Sequence, residues 1–170
     1  MNKIVIEESN MKFGPYDKEA VFLIEQSRVY KEIGNNVKIA EFVLEKSSQK
    51  INIFEVKSSS PQPMNSEDYD TFIRSIYEKF VNTFSLTLAL ILKRFPSHYE
   101  VLPERLEKIE VSNFKCLFVL VIYGHKEEWL LPIQDSLNKS LSSFFKIWNL
   151  PPTSVIVINE KIAKAKHIIK

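Results

Sequence analysis

The run FKCLFVLVIY, residues 114–123, is almost uniformly apolar and constrains the fold more than any other segment. A strand that is covered on both faces needs apolar side chains at successive positions, whereas a strand with one face in water alternates. We therefore predict a central strand here, covered by amphipathic helices over 68–95 and 133–148. A last strand over 154–158 and a basic terminal helix over 161–169 complete this half of the chain.

The N-terminal half predicts a short strand over 3–7 and a helix from Asp17 to Ile33, which carries an apolar stripe and ends before Gly34. Two β-rich runs, VKIAEFVLE (37–45) and INIFEVK (51–57), flank a short polar segment and predict an antiparallel hairpin. A short helix is expected over 104–109. The whole order predicts an α/β fold in which a mixed sheet is flanked by helices, within a single domain over 1–170.

Composition excludes several classes of site. The chain of 170 residues has one cysteine, Cys116, so it has neither a disulfide framework nor a cysteine zinc site. Its three glycines are too scattered for a phosphate-binding loop, and its three histidines do not fall at ligand spacing. The longest apolar-rich run without charge, 84–92, is too short to cross a bilayer, so we expect a cytoplasmic protein. The net charge of +2 is compatible with an anionic partner.

The candidate functional residues lie in the predicted hairpin. Alternation along INIFEVK puts Glu55 and Lys57 on one face, together with two isoleucines. Glu41 is the one charged residue in the middle of the partner run. If the connection has three or five residues, paired positions sum to 96, and Glu41 lies opposite Glu55 with side-chain roots about 5 Å apart. An even-numbered connection would break this register.

Two facing carboxylates repel each other, so a compensating cation is expected. Mg²⁺ prefers oxygen ligands and usually takes one or two carboxylates together with water and phosphate. Lys57 beside this pair could orient or deprotonate a water, or neutralise charge that develops on a phosphate. The alternative is a solvated strand pair in which Lys57 simply neutralises Glu41 and Glu55.

At these residues the sequence resembles the PD-(D/E)xK (restriction-endonuclease-like) nuclease superfamily. The resemblance lies in Glu41, a gap of thirteen residues, and then Glu55-Val56-Lys57 at the end of a strand that precedes a loop and a long helix. The core of the superfamily is a helix, a run of antiparallel strands, a crossover helix and a further strand, which corresponds to about residues 17–123. The first acidic position departs from the family, because it is a glutamate where aspartate is more common, and no proline precedes it.

The resemblance implies metal-dependent hydrolysis of phosphodiester bonds in nucleic acid, with DNA as the expected substrate. It implies Glu41, Glu55 and Lys57 as catalytic residues, with Mg²⁺ or Mn²⁺ held by the two carboxylates and the Val56 carbonyl. A glutamate on the preceding helix often joins such a site, and Glu25 is the candidate; its alternative role is a surface pair with Arg28.

Several branches of the superfamily have lost catalysis, so a non-catalytic nucleic-acid-binding or protein-interaction module on the same fold is the alternative function. A homodimer, or a subunit of a larger defence or repair complex, is the expected assembly.

Overall fold

A computed structural model describes residues 2–34, 36–96 and 98–170. The strands are β1 (Lys3–Glu8), β2 (Met11–Asp17), β3 (Val21–Phe22), β4 (Phe42–Ser47), β5 (Lys50–Lys57), β6 (Lys115–Ile122) and β7 (Val155–Asn159). The helices are α1 (Arg28–Ile33), α2 (Ser66–Ile91), α3 (Glu104–Glu107), α4 (Leu130–Ile147) and α5 (Glu160–Ala165). The fold is mixed α/β. Strands β3 to β7 form a five-stranded sheet in sequence order, and β1 and β2 form a separate hairpin.

Strand β6 lies inside the sheet, as its uniform apolarity predicts. It pairs in parallel with β5 on one side and with β7 on the other, and β4 and β5 are antiparallel. The predicted hairpin and the predicted central strand therefore belong to one mixed sheet, which confirms that expectation. The βαβ connection from β5 to β6 runs through α2, whose length allows it to cross the sheet.

The cover of the two sheet faces differs from the prediction. Helices α2 and α4 both pack on the same face, where Phe80 and Phe84 of α2 and Phe144 of α4 meet Phe118. The expectation that the two helices cover opposite faces was therefore wrong. Amphipathic periodicity shows that a helix packs on something, but it does not show which face of a sheet receives it.

The other face is covered by the β1–β2 hairpin and the end of the chain. Phe13 of β2 is fully buried and packs edge-on against Phe42 and Phe54, which stack on each other. The predicted terminal helix over 161–169 was too long, because α5 ends at Ala165. The chain then turns back so that Ile169 forms a bridge with Phe13, which buries an apolar side chain that a continued helix would not place there.

The predicted helix over 17–33 was also wrong. Only Arg28–Ile33 is α-helical, and it begins after Ser27, whose side chain accepts a hydrogen bond from the Tyr30 N–H. Val21 and Phe22 instead form β3 and pair with β4. This pairing covers an edge of β4 that would otherwise present unpaired backbone groups, and such a long-range contact overrides the local helical spacing.

The β4–β5 hairpin has the predicted register but not the predicted connection. Phe42 pairs with Phe54 and Val43 with Ile53, so paired positions sum to 96. The turn contains two residues, Ser48 and Gln49, and the register shifts between Glu45 and Ser47. This irregularity accommodates one extra residue in β4, so an even-numbered turn still gives the register that an odd-numbered one was expected to require.

No helix in the three described ranges is both long enough and apolar enough to span a bilayer.

Candidate functional site

Glu55 projects from β5 toward helix α2. Ile51 and Ile53 of the same strand lie in the core beneath the helices, whereas Phe54 and Val56 lie in the core beneath the hairpin. Alternation along the strand therefore places Glu55 on the helix-covered face, as the sequence predicted. The side chain is fully buried, so its charge needs partners within the protein.

Two lysines supply those partners. The ammonium groups of Lys57 and Lys79 each lie 2.8 Å from Oε1 of Glu55. Burial raises the pKa of the Glu55 carboxyl, and the charges of Lys79 and Lys57 oppose that rise. Within the described ranges neither carboxylate oxygen of Glu55 has a hydrogen bond of good geometry, so the two lysines act on Oε1 as ion-pair partners and Oε2 has no partner at all.

Glu41 meets this group from the start of β4. It lies one residue before the first paired residue of the strand and donates its backbone N–H to the Phe54 carbonyl at 3.0 Å. Its side chain is 13% exposed, and its Oε1 lies 3.7 Å from the ammonium of Lys79. The structure thus brings Glu41 and Glu55 together at one lysine.

The pKa of Glu41 is raised to about 8. Burial is the largest cause, followed by a side-chain hydrogen bond with Glu25 and by the negative charge of Glu55, while Lys79 lowers it. The sequence predicted that at least one of the two carboxyls would resist ionisation, and the electrostatics of Glu41 confirm this prediction.

Glu25 joins the site, although not from the predicted helix. It lies in a 3-10 turn, Ile24–Gln26, between β3 and α1, and its side chain hydrogen-bonds to Glu41. The alternative pair with Arg28 is not formed, because Arg28 donates its backbone N–H to the Glu100 carboxylate at 2.6 Å and its guanidinium to a backbone carbonyl.

A small cleft opens beside Glu25 and Glu41. It has a volume of about 140 Å³, and its far wall is β1 of the N-terminal hairpin, with Glu7 and Glu8 among the lining residues. Four glutamates therefore border this cleft, of which Glu7 forms an ion pair with Lys12 at 2.8 Å.

Lys79 is the site residue that sequence reasoning missed. It lies on α2, three residues after the buried Ile76 and four before the buried Thr83, and its side chain is only 15% exposed. Burial lowers its pKa, but Glu55 above all, with Glu41 and Glu25, outweighs burial and raises it. A lysine beside the apolar stripe of a helix was the available signal, since such a lysine requires a buried anion.

The donor set suits a hard divalent cation. Glu41 and Glu55 offer carboxylate oxygens, and the unpartnered Oε2 of Glu55 is an oxygen atom without a donor in the described chain. Mg²⁺ is commonly held by one or two carboxylates with water completing its shell. In residues 2–34, 36–96 and 98–170, no group of three or more His, Cys, Asp or Glu side chains is arranged to hold a metal ion. The expected direct pairing of Glu41 with Glu55 is not formed, because the ladder ends at Phe42 and Phe54. The fit thus rests on the approach of both glutamates to Lys79 and leaves Glu25 as a hydrogen-bond partner of Glu41.

Comparison with known proteins found no match to any family model, curated protein or solved structure.

Proposed function

We propose that this protein is a metal-dependent nuclease with a restriction-endonuclease-like fold, which hydrolyses phosphodiester bonds of nucleic acid, with DNA rather than RNA as the expected substrate. The observation that carries the proposal is the meeting of Glu41 and Glu55 at the end of a strand pair, with Lys57 bound to Glu55. Glu41, Glu55 and Lys57 are the proposed catalytic residues.

The order of elements supports this assignment. Strands β3, β4 and β5 are consecutive and antiparallel, α2 crosses over, and β6 joins β5 in parallel. This order resembles the core of the superfamily named above. The position of the helix differs, because α1 lies between β3 and β4 instead of before the antiparallel strands.

The side chains have distinct parts in the proposed reaction. Glu41 and Glu55, with the backbone carbonyl of Val56, would hold Mg²⁺ or Mn²⁺. When bound, this ion supplies positive charge to the phosphate and lowers the pKa of a bound water. Lys57, whose side chain is 31% exposed and contacts Glu55, would stabilise negative charge on the phosphate. The water oxygen forms a new bond to phosphorus, the bond to the leaving sugar oxygen breaks, the proton from the water passes to solvent, and the leaving oxygen takes a proton from solvent.

A cleavage assay tests the proposal. The protein is incubated with DNA and RNA substrates with Mg²⁺, with Mn²⁺ and with a chelator, and Glu55→Gln and Lys57→Ala are compared with the parent. We expect metal-dependent cleavage that both variants lose. Lys50→Ala is the matched control, since Lys50 begins the same strand at its far end and is exposed. Cleavage that persists unchanged in both site variants would remove the assignment.

One observation favours a second candidate function. The ammonium of Lys79 contacts Glu55 and lies near Glu41, so the carboxylate pair is already partly neutralised without a metal. This arrangement suits a non-catalytic module of the same fold that binds nucleic acid or another protein. Titration with Mg²⁺ and Mn²⁺ separates the two: retained nucleic-acid binding without metal binding favours the module.

A further inference from the structure

Lys79 lies beside both glutamates of the candidate site, Glu41 and Glu55. Its ammonium lies 2.8 Å from Oε1 of Glu55 and 3.7 Å from Oε1 of Glu41. Lys57 contacts Glu55 but forms no ion pair with Glu41 among the described residues. Lys79 is thus the lysine that bridges the two carboxylates on which the proposed metal site depends.

A lysine ammonium and a divalent cation compete for the carboxylate oxygens of Glu41 and Glu55. An ammonium within hydrogen-bond distance of a carboxylate oxygen takes up lone pairs that a metal would use, and two cations bound to one carboxylate pair repel each other. The affinity of Glu41 and Glu55 for a metal is therefore lowered as long as the Lys79 ammonium stays beside them.

The fold allows the side chain of Lys79 to move while its helix stays in place. The neighbouring residues Ile76, Phe80 and Thr83 are fully buried and fix this part of α2 against the sheet. The lysine side chain has four rotatable carbon–carbon bonds and is not completely enclosed, since 15% of its surface is exposed. An outward rotation therefore needs no change in the core.

We propose that the Lys79 ammonium and a divalent cation are alternative occupants of the Glu41–Glu55 pair. This inference rests on the proposed metal-dependent function and adds an exchange step to it. In the metal-free protein the Lys79 ammonium is a counter-ion of the Glu55 carboxylate and lies beside the Glu41 carboxyl group. Binding of the metal moves the ammonium away from Glu41 and Glu55 toward solvent, so the metal affinity of the parent is lower than that of the bare pair.

Titration calorimetry with Mn²⁺ tests the exchange on the full chain. Lys79→Met keeps most of the side-chain volume but removes the charge, and we expect it to bind Mn²⁺ about tenfold more tightly than the parent, or more, because a nearby opposite charge shifts carboxylate equilibria by that order. Lys38→Met is the matched control, since Lys38 pairs with Glu78 at the surface and changes the net charge equally; its affinity should stay at the parent value. Equal or weaker binding by Lys79→Met, while the parent binds Mn²⁺, would overturn the exchange and leave the proposed function standing. Absence of Mn²⁺ binding in all three proteins would overturn both the exchange and the proposed metal-dependent function.

Lysine labelling tests the same exchange on the unmodified sequence, so that the inference stays testable if Lys79→Met does not fold. The protein is treated with limiting acetic anhydride, with and without Mg²⁺, and the modification of each lysine is measured by mass spectrometry. We expect Mg²⁺ to increase the labelling of Lys79 several-fold while the labelling of Lys38 stays constant. Labelling of Lys79 that does not change at a Mg²⁺ concentration shown by calorimetry to saturate the protein would contradict the exchange.

Discussion

The charge of Glu41 depends on pH in the neutral range, because its pKa in the folded protein is about 8 whereas the ordinary value is 4.5. Between these two values the folded protein binds a proton that the unfolded chain has already lost. The stability that this proton provides is fully present below the ordinary pKa and is lost as the pH rises through the folded-state value. The metal-free protein should therefore become less stable from about pH 4.5 to about pH 8.

We predict that Glu41→Gln removes most of this pH dependence and raises the metal-free stability near pH 8. One titrating group contributes at most about 1.4 kcal/mol per pH unit to the slope. Mg²⁺ favours the charged carboxylate, so the parent should gain thermal stability near pH 8 when Mg²⁺ is added, and Glu41→Gln should gain little. Melting curves of both proteins at several pH values, with and without Mg²⁺, measure this. An identical Mg²⁺ response in the two proteins would contradict the site.

At the scale of elements, helix α2 fixes the chain that leads into Glu41. The backbone N–H of Ala40 donates a hydrogen bond of 2.7 Å to the side-chain oxygen of Thr83, and both residues are completely buried. Asn82, on the same helix, donates to the Lys38 carbonyl. The segment before β4 thus has an anchor on the helix that carries Lys79.

We predict that Thr83→Val destabilises the protein by about 1–3 kcal/mol, because the isosteric change leaves the buried Ala40 N–H without an acceptor. Thr87 provides a matched control one turn later on α2. Its hydroxyl is buried and has no hydrogen-bond partner among the described residues, so Thr87→Val should be neutral or slightly stabilising. Urea unfolding of the two variants measures the difference. Equal effects would show that the Thr83 hydrogen bond does not stabilise this segment.

The elements that the sequence predicts well are those whose signal is local. The uniform apolarity of β6 and the alternation of β5 define both strands, and the face shared by Glu55 and Lys57 follows directly from alternation. Strand β2 was missed because Gly14 and Pro15 suggest a turn. At Gly14, where φ is +97°, an added Cβ would lie 2.8 Å from the backbone nitrogen of Tyr16, so this irregular strand requires glycine.

The elements and site residues that were missed depend on contacts far apart in sequence. The pairing of β3 with β4 replaces the N-terminal part of the expected helix over 17–33. The residues around β3 contain no local pattern that predicts this pairing. Lys79 belongs to the site because α2 packs over Glu55, twenty-four positions earlier in the chain. The Glu41–Glu55 pair could be predicted because both residues lie on a single hairpin.

In the whole molecule, the five-stranded sheet separates two hydrophobic cores, one on each of its faces. The core beneath the helices contains the neighbours of Glu55, and the core beneath the β1–β2 hairpin is closed by Ile169. Besides its bridge to Phe13, the C-terminal segment accepts hydrogen bonds at the Ile168 carbonyl from Gly14 and from the Tyr16 hydroxyl. Damage at the C-terminal end of this second core should therefore change stability while leaving Glu55 and Lys79, on the other face of the sheet, in place.

We predict that Ile169→Ala lowers the free energy of unfolding by about 2–4 kcal/mol, since it leaves a cavity at a buried position. The gain in thermal stability on adding Mg²⁺ should remain that of the parent, because Glu55 and Lys79 lie on the opposite face of the sheet and only β1 of the hairpin borders the cleft beside Glu41. Ile147→Ala makes the same change at a residue that is 80% exposed and should alter stability by less than about 0.5 kcal/mol. Unfolding with and without Mg²⁺ measures both effects, and loss of the Mg²⁺ response in Ile169→Ala would show that the two cores are coupled.

A crystal structure of the full chain with Mn²⁺ shows whether Glu41 and Glu55 bind the ion, because anomalous scattering locates the ion independently of any assumed ligands. We predict an anomalous peak within bonding distance of carboxylate oxygens of both Glu41 and Glu55, with the Lys79 ammonium moved away from them. Crystals of Glu41→Gln grown in the same solution are the control and should lack the peak. A structure with saturating Mn²⁺ in which Lys79 still bridges Glu41 and Glu55, and no peak lies between them, would contradict the account.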